Sequence, residues 1–583
     1  MLIVRCWITV ARHSKAYASP PRKRGTDGTT PRDVRTRGYT DSNCTPIPAP
    51  REPPARKRCL TLAAPSNRET QRTELHKAIW KIADEVRGAV DSWDFKAYIL
   101  CFLFYRFISE DLAEYIDEDE RAAGNPDFSY ADLADEEAEG VREDLVELKG
   151  YFILPSQLFQ NVAKAPEKDP ELNIHVAEIF KSIEGSSVGC SSEKDFKGLF
   201  DDVDVTSNKL GATLEERITR LAKIITGIRD LDFGRVRDAQ IDLFGDAYEY
   251  LMNMYASSAG KSGGEFFTPQ EVSELLARIV IGNKTAINKV YDPACGSGSL
   301  LLKFAKILGT ENIRQGYFGQ EINPTTYNLC RINMFLHHVP FDKFNIERGD
   351  TLINPMHWDD EPFDAIVSNP PYSTKWIGDD DPTLINDPRF APAGVLAPKS
   401  KADLAFTMHM LSWLSSKGRA AIVEFPGVLY RGGAEQKIRK YLVEGNYVEA
   451  VIQLPANLFF GVTIATCIIV LSKSKTDDKV LFIDASNLFE HVGNKNKLMP
   501  EHIEKINALV QERTEEQYLS HLVGIDELGG ENKYNLSVST WVEKEDTREK
   551  IDIVELNARI KGIVARQQEL REQLDAIVAD LEG

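Results

Sequence analysis

Cysteine is sparse in this 583-residue chain, and the eight at positions 6, 44, 59, 101, 190, 295, 330 and 467 form no C-x-x-C pair. That spacing argues against a disulfide framework or a zinc ribbon and fits a reducing, cytosolic setting best. Long apolar runs are lacking too. The run from Ala97 stops at Arg106, well short of the ~18 to 20 residues that cross a bilayer, so no membrane span is expected. Positive charge is scarce outside one end. Residues 1–70 hold 14 Lys/Arg against 5 Asp/Glu, residues 71–583 hold 56 against 84, and the whole carries −19. A body that acidic repels a polyphosphate over most of its surface, so a nucleic-acid function requires a local basic patch or a basic partner. What is present, 42% apolar and 27% charged residues, describes a globular chain of roughly three or four domains.

Residues 1–72 read as a basic, disordered extension: the first 70 contain 9 of the 28 prolines, the clusters Arg22-Lys23-Arg24 and Arg56-Lys57-Arg58, and no apolar periodicity. A misassigned start codon, a transit peptide or a nucleic-acid arm would share that composition. From 73 to 245 helical spacing takes over, as in Leu75, Ile79, Ile82, Ala83 and Val86. The acidic stretches Glu110–Glu120 and Asp135–Asp144 are expected as solvated helix faces. Asp202-Val203-Asp204 imitates a calcium loop but lacks its glycine, which is Ser207, and its closing glutamate, which is Thr213. Residues 246–485 contain the α/β region, in which short β-rich runs alternate with helical stretches from about 285. The runs are Asn288–Tyr291, Gly316–Gln320, Asn345–Arg348, Ala365–Ser368, Ala420–Phe425, Val448–Gln453, Cys467–Leu471 and Val480–Ile483. This predicts a parallel sheet of seven or eight strands covered by helices, with ligands at the carboxyl ends of the strands. Residues 486–545 extend that region. In 546–583, Ile553, Leu556, Ile560, Ile563, Leu570, Leu574, Ile577 and Leu581 follow coiled-coil spacing, which suits either another chain or the helix's own domain.

The chemistry concentrates after the strands. Asp292-Pro293-Ala294-Cys295-Gly296-Ser297-Gly298 follows the first one, and small residues there let the backbone turn tightly and approach a ligand. Glu321, at the end of the second, suits the two hydroxyls of a ribose. Leu301 stands where G-x-G-x-x-G needs its third glycine, which disfavours a nicotinamide or flavin dinucleotide. The fourth strand ends in Asn369-Pro370-Pro371-Tyr372. Two prolines stiffen the loop and leave the Asn369 amide oxygen and the Pro370 carbonyl as neighbouring acceptors, able to grip both hydrogens of an exocyclic amine and aim its lone pair at an electrophilic methyl. Tyr372 suits stacking on a planar base. Gly260-Lys261-Ser262 lacks the rest of a P-loop, and His337-His338 has no companion at ligand spacing, so neither ATP hydrolysis nor a metal is expected.

Gly264-Glu265-Phe266-Phe267-Thr268-Pro269, then DPACGSG, Glu321, Asp350 and NPPY, in that order, resembles the amino-group DNA adenine methyltransferases, specifically the modification subunit of type I restriction-modification systems. The likeness runs from about Thr73 to the C-terminus and includes Lys399–Phe406 and Arg431–Lys440. It implies a seven-stranded, mostly parallel, Rossmann-like sheet, an N-terminal helical domain and a C-terminal coiled-coil-like helix. It implies N6 methylation of adenine in double-stranded DNA by S-adenosylmethionine, with no metal. Gly264 to Pro269 and Gly296-Ser297-Gly298 would surround the cofactor's methionine part, Glu321 its ribose, and Asp350 its adenine or the rim of the site, with Asp292 also among the cofactor-binding residues. Asn369, Pro370, Pro371 and Tyr372 would hold the extruded base, with Phe459 or Phe460 on its other face. Where the family often shows Pro-His-Gly, this chain reads Glu424-Phe425-Pro426-Gly427. The implied partners are a specificity subunit, a second methylating copy joined through it, and a helicase-nuclease restriction subunit. Too little chain follows the last strand for a base-reading domain, which also favours a separate reader. Arg431, Lys437, Arg439 and Lys440 form a positive group suited to phosphates. Methylation of an RNA base or a protein glutamine, or a non-catalytic cofactor-binding scaffold, are the alternatives.

Overall fold

The computed structural model describes residues 67–86, 92–234, 243–258, 268–459, 461–545 and 553–582. The basic extension lies outside them apart from residues 67–72, which open the helix Asn67–Val86. The helix Ser92–Ala122 is apolar all round from Tyr98 to Tyr105, which is why it sits at the centre of the N-terminal helical region. The helices Leu172–Ser186, Leu214–Arg229 and Leu243–Ser258 belong to the same region. Its buried tyrosines are satisfied by backbone: Tyr130 and Tyr151 donate to the carbonyls of Ile153 and Ile108, each at 2.8 Å. The acidic run is not simply a solvated face. Glu120 is buried and accepts from Asn125 Nδ2, and Asp117 accepts from the Tyr130 amide at 2.7 Å, because the turn after the helix uses these carboxylates to satisfy its donors.

Eleven strands follow: β1 Ile287–Asp292, β2 Ile313–Glu321, β3 Phe344–Arg348, β4 Phe363–Ser368, β5 Leu414–Glu424, β6 Val448–Gln453, β7 Cys467–Ser472, β8 Lys479–Asp484, β9 Glu490–Val492, β10 Lys495–Lys497 and β11 Ser520–Gly524. Nine form one sheet in the order β11-β8-β6-β7-β5-β4-β1-β2-β3, while β9 and β10 make a separate hairpin. The expected seven strands are the stretch from β6 to β3. β8 extends it in parallel to β6 and β11 caps the edge antiparallel to β8, so that only β7 and β11 run against the rest. Side chains alternate between two cores. Ala421 and Val423 of β5 and Ile468 and Val470 of β7 face the first, and Ala420, Ile422, Ile469 and Leu471 the second. The first core is continuous with the N-terminal helices: Phe335 lies 5.9 Å from Phe104 and 4.9 Å from Phe196 between ring centres.

Polar contacts reinforce that junction. Arg331, on the helix Pro324–Leu336, is buried and donates to the carbonyls of Lys194, Asp195 and Lys197 at 2.8, 3.3 and 3.0 Å. Asn328 and Thr325 of the same helix bond Asp202, the residue that opened the false calcium loop. The C-terminal helix Ile553–Glu582 is different: its apolar stripe is exposed along its length, with Leu574 at 62% and Ile577 at 61%. No described helix is long and apolar enough to cross a membrane.

Candidate active site at the carboxyl ends of β1 to β4

Strand order reverses at β1, which pairs with β2 on one side and β4 on the other, the position at which open α/β sheets hold a ligand in a crevice beyond the carboxyl ends of the strands. Asp292 closes its floor. Its Oδ1 accepts from the Ala294 amide at 3.0 Å and from Ser368 Oγ at 2.9 Å, and Oδ2 is buried without a hydrogen-bond partner. Burial above all raises this carboxyl to about 7. Gly298 caps the helix Ser299–Leu308 at φ 80°, and a Cβ there would lie 2.8 Å from Cys330 Sγ, so both conformation and space demand glycine. Asn333 Nδ2 donates to the Ser297 carbonyl at 2.7 Å from below.

Glu321 ends β2 and accepts from the Gly296 amide at 3.0 Å and the Asn323 amide at 2.8 Å; burial raises its pKa above the usual carboxylate value despite these donors. Asp350 turns the chain after β3, its Oδ1 accepting from the Leu352 amide at 2.9 Å. Thr351 donates to the Pro293 carbonyl at 2.6 Å, tying this loop to the one after β1. Sequence reasoning missed the support below it: buried Arg389 donates to the carbonyls of Thr351 and Leu352, both at 2.8 Å, while paired with Asp387. It also missed Ile322 and Ile353, large exposed apolar side chains next to the crevice carboxylates. An apolar residue directly after an acidic strand end was the available signal.

Across the crevice, Ser368 leads straight from the Asp292 bond into Asn369. Asn369 Nδ2 donates to Thr268 Oγ1 at 3.1 Å, and its Oδ1 accepts from Tyr372 Oη at 2.6 Å. No described residue donates to the Pro370 carbonyl. Tyr372 is half-buried, 5.5 Å from the Phe425 ring and edge-on to Phe459 at 6.3 Å. Thus Asp292, Gly296, Ser297, Gly298, Glu321 and Asp350 fall at or just after the carboxyl ends of β1, β2 and β3, and Asn369, Pro370, Pro371 and Tyr372 just after β4, bonded to Thr268, with Pro269 preceding the helix Gln270–Ile281. Gly264, Glu265, Phe266, Phe267 and Phe460 lie outside the described residues, as does the Gly260-Lys261-Ser262 step. Phe459 is 3% exposed, so it backs Tyr372 and offers no free face to a second ring. The positive group also divides. Arg439 is buried, lowered by burial to about 10, and spends its donors on the carbonyls of Val428, Arg431 and Tyr534. Arg431 is paired with Glu435, and Lys437 is exposed. Among the described residues no group of three or more His, Cys, Asp or Glu is placed to hold a metal ion.

Comparison with known proteins places these features in a family context. The sequence pattern described as N-6 DNA Methylase matches residues 239–550, and that described as HsdM N-terminal domain matches residues 75–228. The type I restriction enzyme MpnII methylase subunit of Mycoplasma pneumoniae is 48% identical over 531 residues, covering 88% of this chain and 97% of that protein. The MjaVII methylase subunit of Methanocaldococcus jannaschii is 28% identical over 92% of this chain and 89% of its own length. Among solved structures, the type I restriction-modification system methyltransferase subunit from Streptococcus thermophilus superposes with a TM-score of 0.72 at 35% identity, covering 81% of this chain and 100% of that one.

Proposed function

Because the chain belongs to the N-6 DNA methylase family, as a methylase subunit of the type I restriction-modification kind, we propose that the crevice between the β1 and β4 loops is where adenine N6 meets the methyl donor. The observation that carries this reading is the Asp292–Ser368 bond, which sets the acceptor loop directly beside the glycine turn.

The residues fit S-adenosylmethionine. Asp292 Oδ2 is a buried acceptor in want of a donor, which an ammonium would supply, and Gly296 and Gly298, at φ 53° and 80°, let the backbone turn tightly beside it. Glu321 retains lone pairs for ribose hydroxyls, and Ile322 and Ile353 offer apolar surface for a planar base. When bound, S-adenosylmethionine supplies an electrophilic methyl on a sulfonium. Asn369 Oδ1 has a second lone pair beyond the one Tyr372 occupies, and with the Pro370 carbonyl it would hold both N6 hydrogens and direct the nitrogen lone pair at that methyl. The base must leave the duplex to reach this loop, at a cost of a few kcal/mol. Contacts for that come from a separate specificity subunit, engaged through the exposed stripe of Ile553–Glu582; two copies of this chain flank it, and the restriction subunit joins the assembly for cleavage.

Asn369→Ala tests the reading. With the specificity subunit and DNA, methylated adenine measured by nucleoside mass spectrometry should fall below about one-hundredth of the parent rate, while cofactor affinity by calorimetry stays within about threefold. Retained methylation would refute the role given to Asn369.

A further inference from the structure

We propose that Arg389 is a positioning residue for the methyl donor: its buried guanidinium fixes the turn at residues 350–354 from within, and through that turn sets the affinity for the adenosine end of S-adenosylmethionine. This rests on the cofactor reading given to the crevice above. Arg389 lies between the Asn369-Pro370-Pro371-Tyr372 loop and the helix Asp403–Trp413. At 1% exposure its charge is cut off from water, yet each of the five N–H donors of its guanidinium has an acceptor. Nε donates to Asp387 Oδ1 at 3.0 Å. Nη1 donates to the Thr351 carbonyl at 2.8 Å and to His409 Nδ1 at 3.2 Å, and Nη2 to the Leu352 carbonyl at 2.8 Å and to Asp387 Oδ2 at 2.7 Å. Donation by Arg389 requires a lone pair on His409 Nδ1, so the neutral imidazole carries its proton on Nε2 and donates it to Tyr291 Oη at 2.9 Å. Burial, and then the Arg389 charge, hold His409 well below the usual histidine range, which keeps that ring neutral. Tyr291 precedes Asp292, so one guanidinium joins the loop after β3 to the end of β1.

Two consecutive carbonyls, those of Thr351 and Leu352, converge on this one cation, so the backbone there is curled. The Asn354 amide closes the curl by donating to the Asp350 carbonyl at 2.7 Å, and the Leu352 amide donates to Asp350 Oδ1 at 2.9 Å. The far end of the turn is held from β2. Buried Gln320 donates from Nε2 to the Asn354 carbonyl at 2.8 Å and accepts at Oε1 from the Met356 amide at 3.0 Å, while the Gly349 amide donates to the Glu321 carbonyl at 3.0 Å. With its carbonyls spent on buried donors, the turn keeps Asp350 half-buried and Ile353 at 45% exposure. These are the polar and apolar groups that the cofactor reading assigns to adenosine together with Glu321 and Ile322. A lysine at 389 keeps a charge beside Asp387 but lacks the planar fork that spans both carbonyls. Without the fork, two buried carbonyls lose their donors, the turn relaxes, and Asp350 and Ile353 lose their fixed placement relative to Glu321.

The effect is readable without turnover. In calorimetry of the full chain with S-adenosylhomocysteine, Arg389→Ala should raise Kd at least about tenfold and Arg389→Lys at least about fivefold. With the specificity subunit, DNA and saturating S-adenosylmethionine, both variants should keep kcat and the DNA KM within about threefold of the parent, while the cofactor KM rises as Kd does. A general loss of packing would instead lower kcat and raise both KM values, and that pattern overturns the proposal. Where circular dichroism shows Arg389→Ala to be unfolded, Arg389→Lys decides, and a Kd within about twofold of the parent overturns the proposal. Asp350→Ala separates this inference from the reading beneath it. If Asp350→Ala leaves Kd unchanged, the turn does not serve the cofactor and both fall; if it raises Kd while Arg389→Lys does not, only the role given to Arg389 falls.

Discussion

At the scale of single residues, Asp292 has the most consequential environment. Buried below the crevice, it holds its proton up to about 7 in the folded chain, against about 4 for an unfolded aspartate. The folded state therefore binds the proton more tightly, and the stability this confers at low pH is lost as pH rises from about 4 to about 7. Three pH units correspond to something on the order of 4 kcal/mol. Asp292→Asn should remove that slope, so in urea melts the stability of the variant relative to the parent should improve between pH 4.5 and 7.5, roughly the window named. Much of the site was legible residue by residue, because Asn369-Pro370-Pro371-Tyr372 and the glycine turn are contiguous and each sits just past a β-rich run. What was not legible depends on distant pairs. Thr268 meets Asn369 across 101 residues and Ser373 meets Asp403 across 30, and nothing local to either member announces the other.

At the scale of elements, the strands were readable because a sheet buried on both faces leaves near-continuous apolar runs, as in Cys467–Ser472. β11 was not, since its five residues begin Ser-His and sit at the sheet edge, where half the surface faces outward. The C-terminal helix shows the opposite case: its spacing left two partners open, and the exposed stripe shows that the described part of this chain does not cover it. Leu570→Asp with Leu574→Asp should abolish co-purification with the specificity subunit and leave the thermal melting of this chain within about 2 °C of the parent, because both side chains are at least half exposed. The positive group on and just before the helix Ala434–Glu444 was legible as charge but not as role. Burial turns Arg439 into a clamp on three carbonyls, and Arg439→Leu should cost about 3 kcal/mol in urea unfolding by leaving them unpaired.

At the scale of the whole molecule, charge dominates. With a net −19, the chain alone should bind duplex DNA weakly, and binding should fall off steeply with added salt; addition of the specificity subunit should tighten it at least about a hundredfold at physiological salt in fluorescence anisotropy. Equal affinity with and without that subunit would show that the acidic body carries its own DNA surface. The junction between the helical region and the sheet also bears on how such proteins can be recombined. Arg331 lies on the helix Pro324–Leu336 that follows Glu321, yet it spends its guanidinium on the carbonyls of residues 194, 195 and 197. Because these acceptors are backbone carbonyls, a chimaera that takes its catalytic half from one relative and its N-terminal half from another keeps them only where the chain follows the same path through residues 194 to 197, so loop length there, more than side-chain identity, decides whether the halves are compatible.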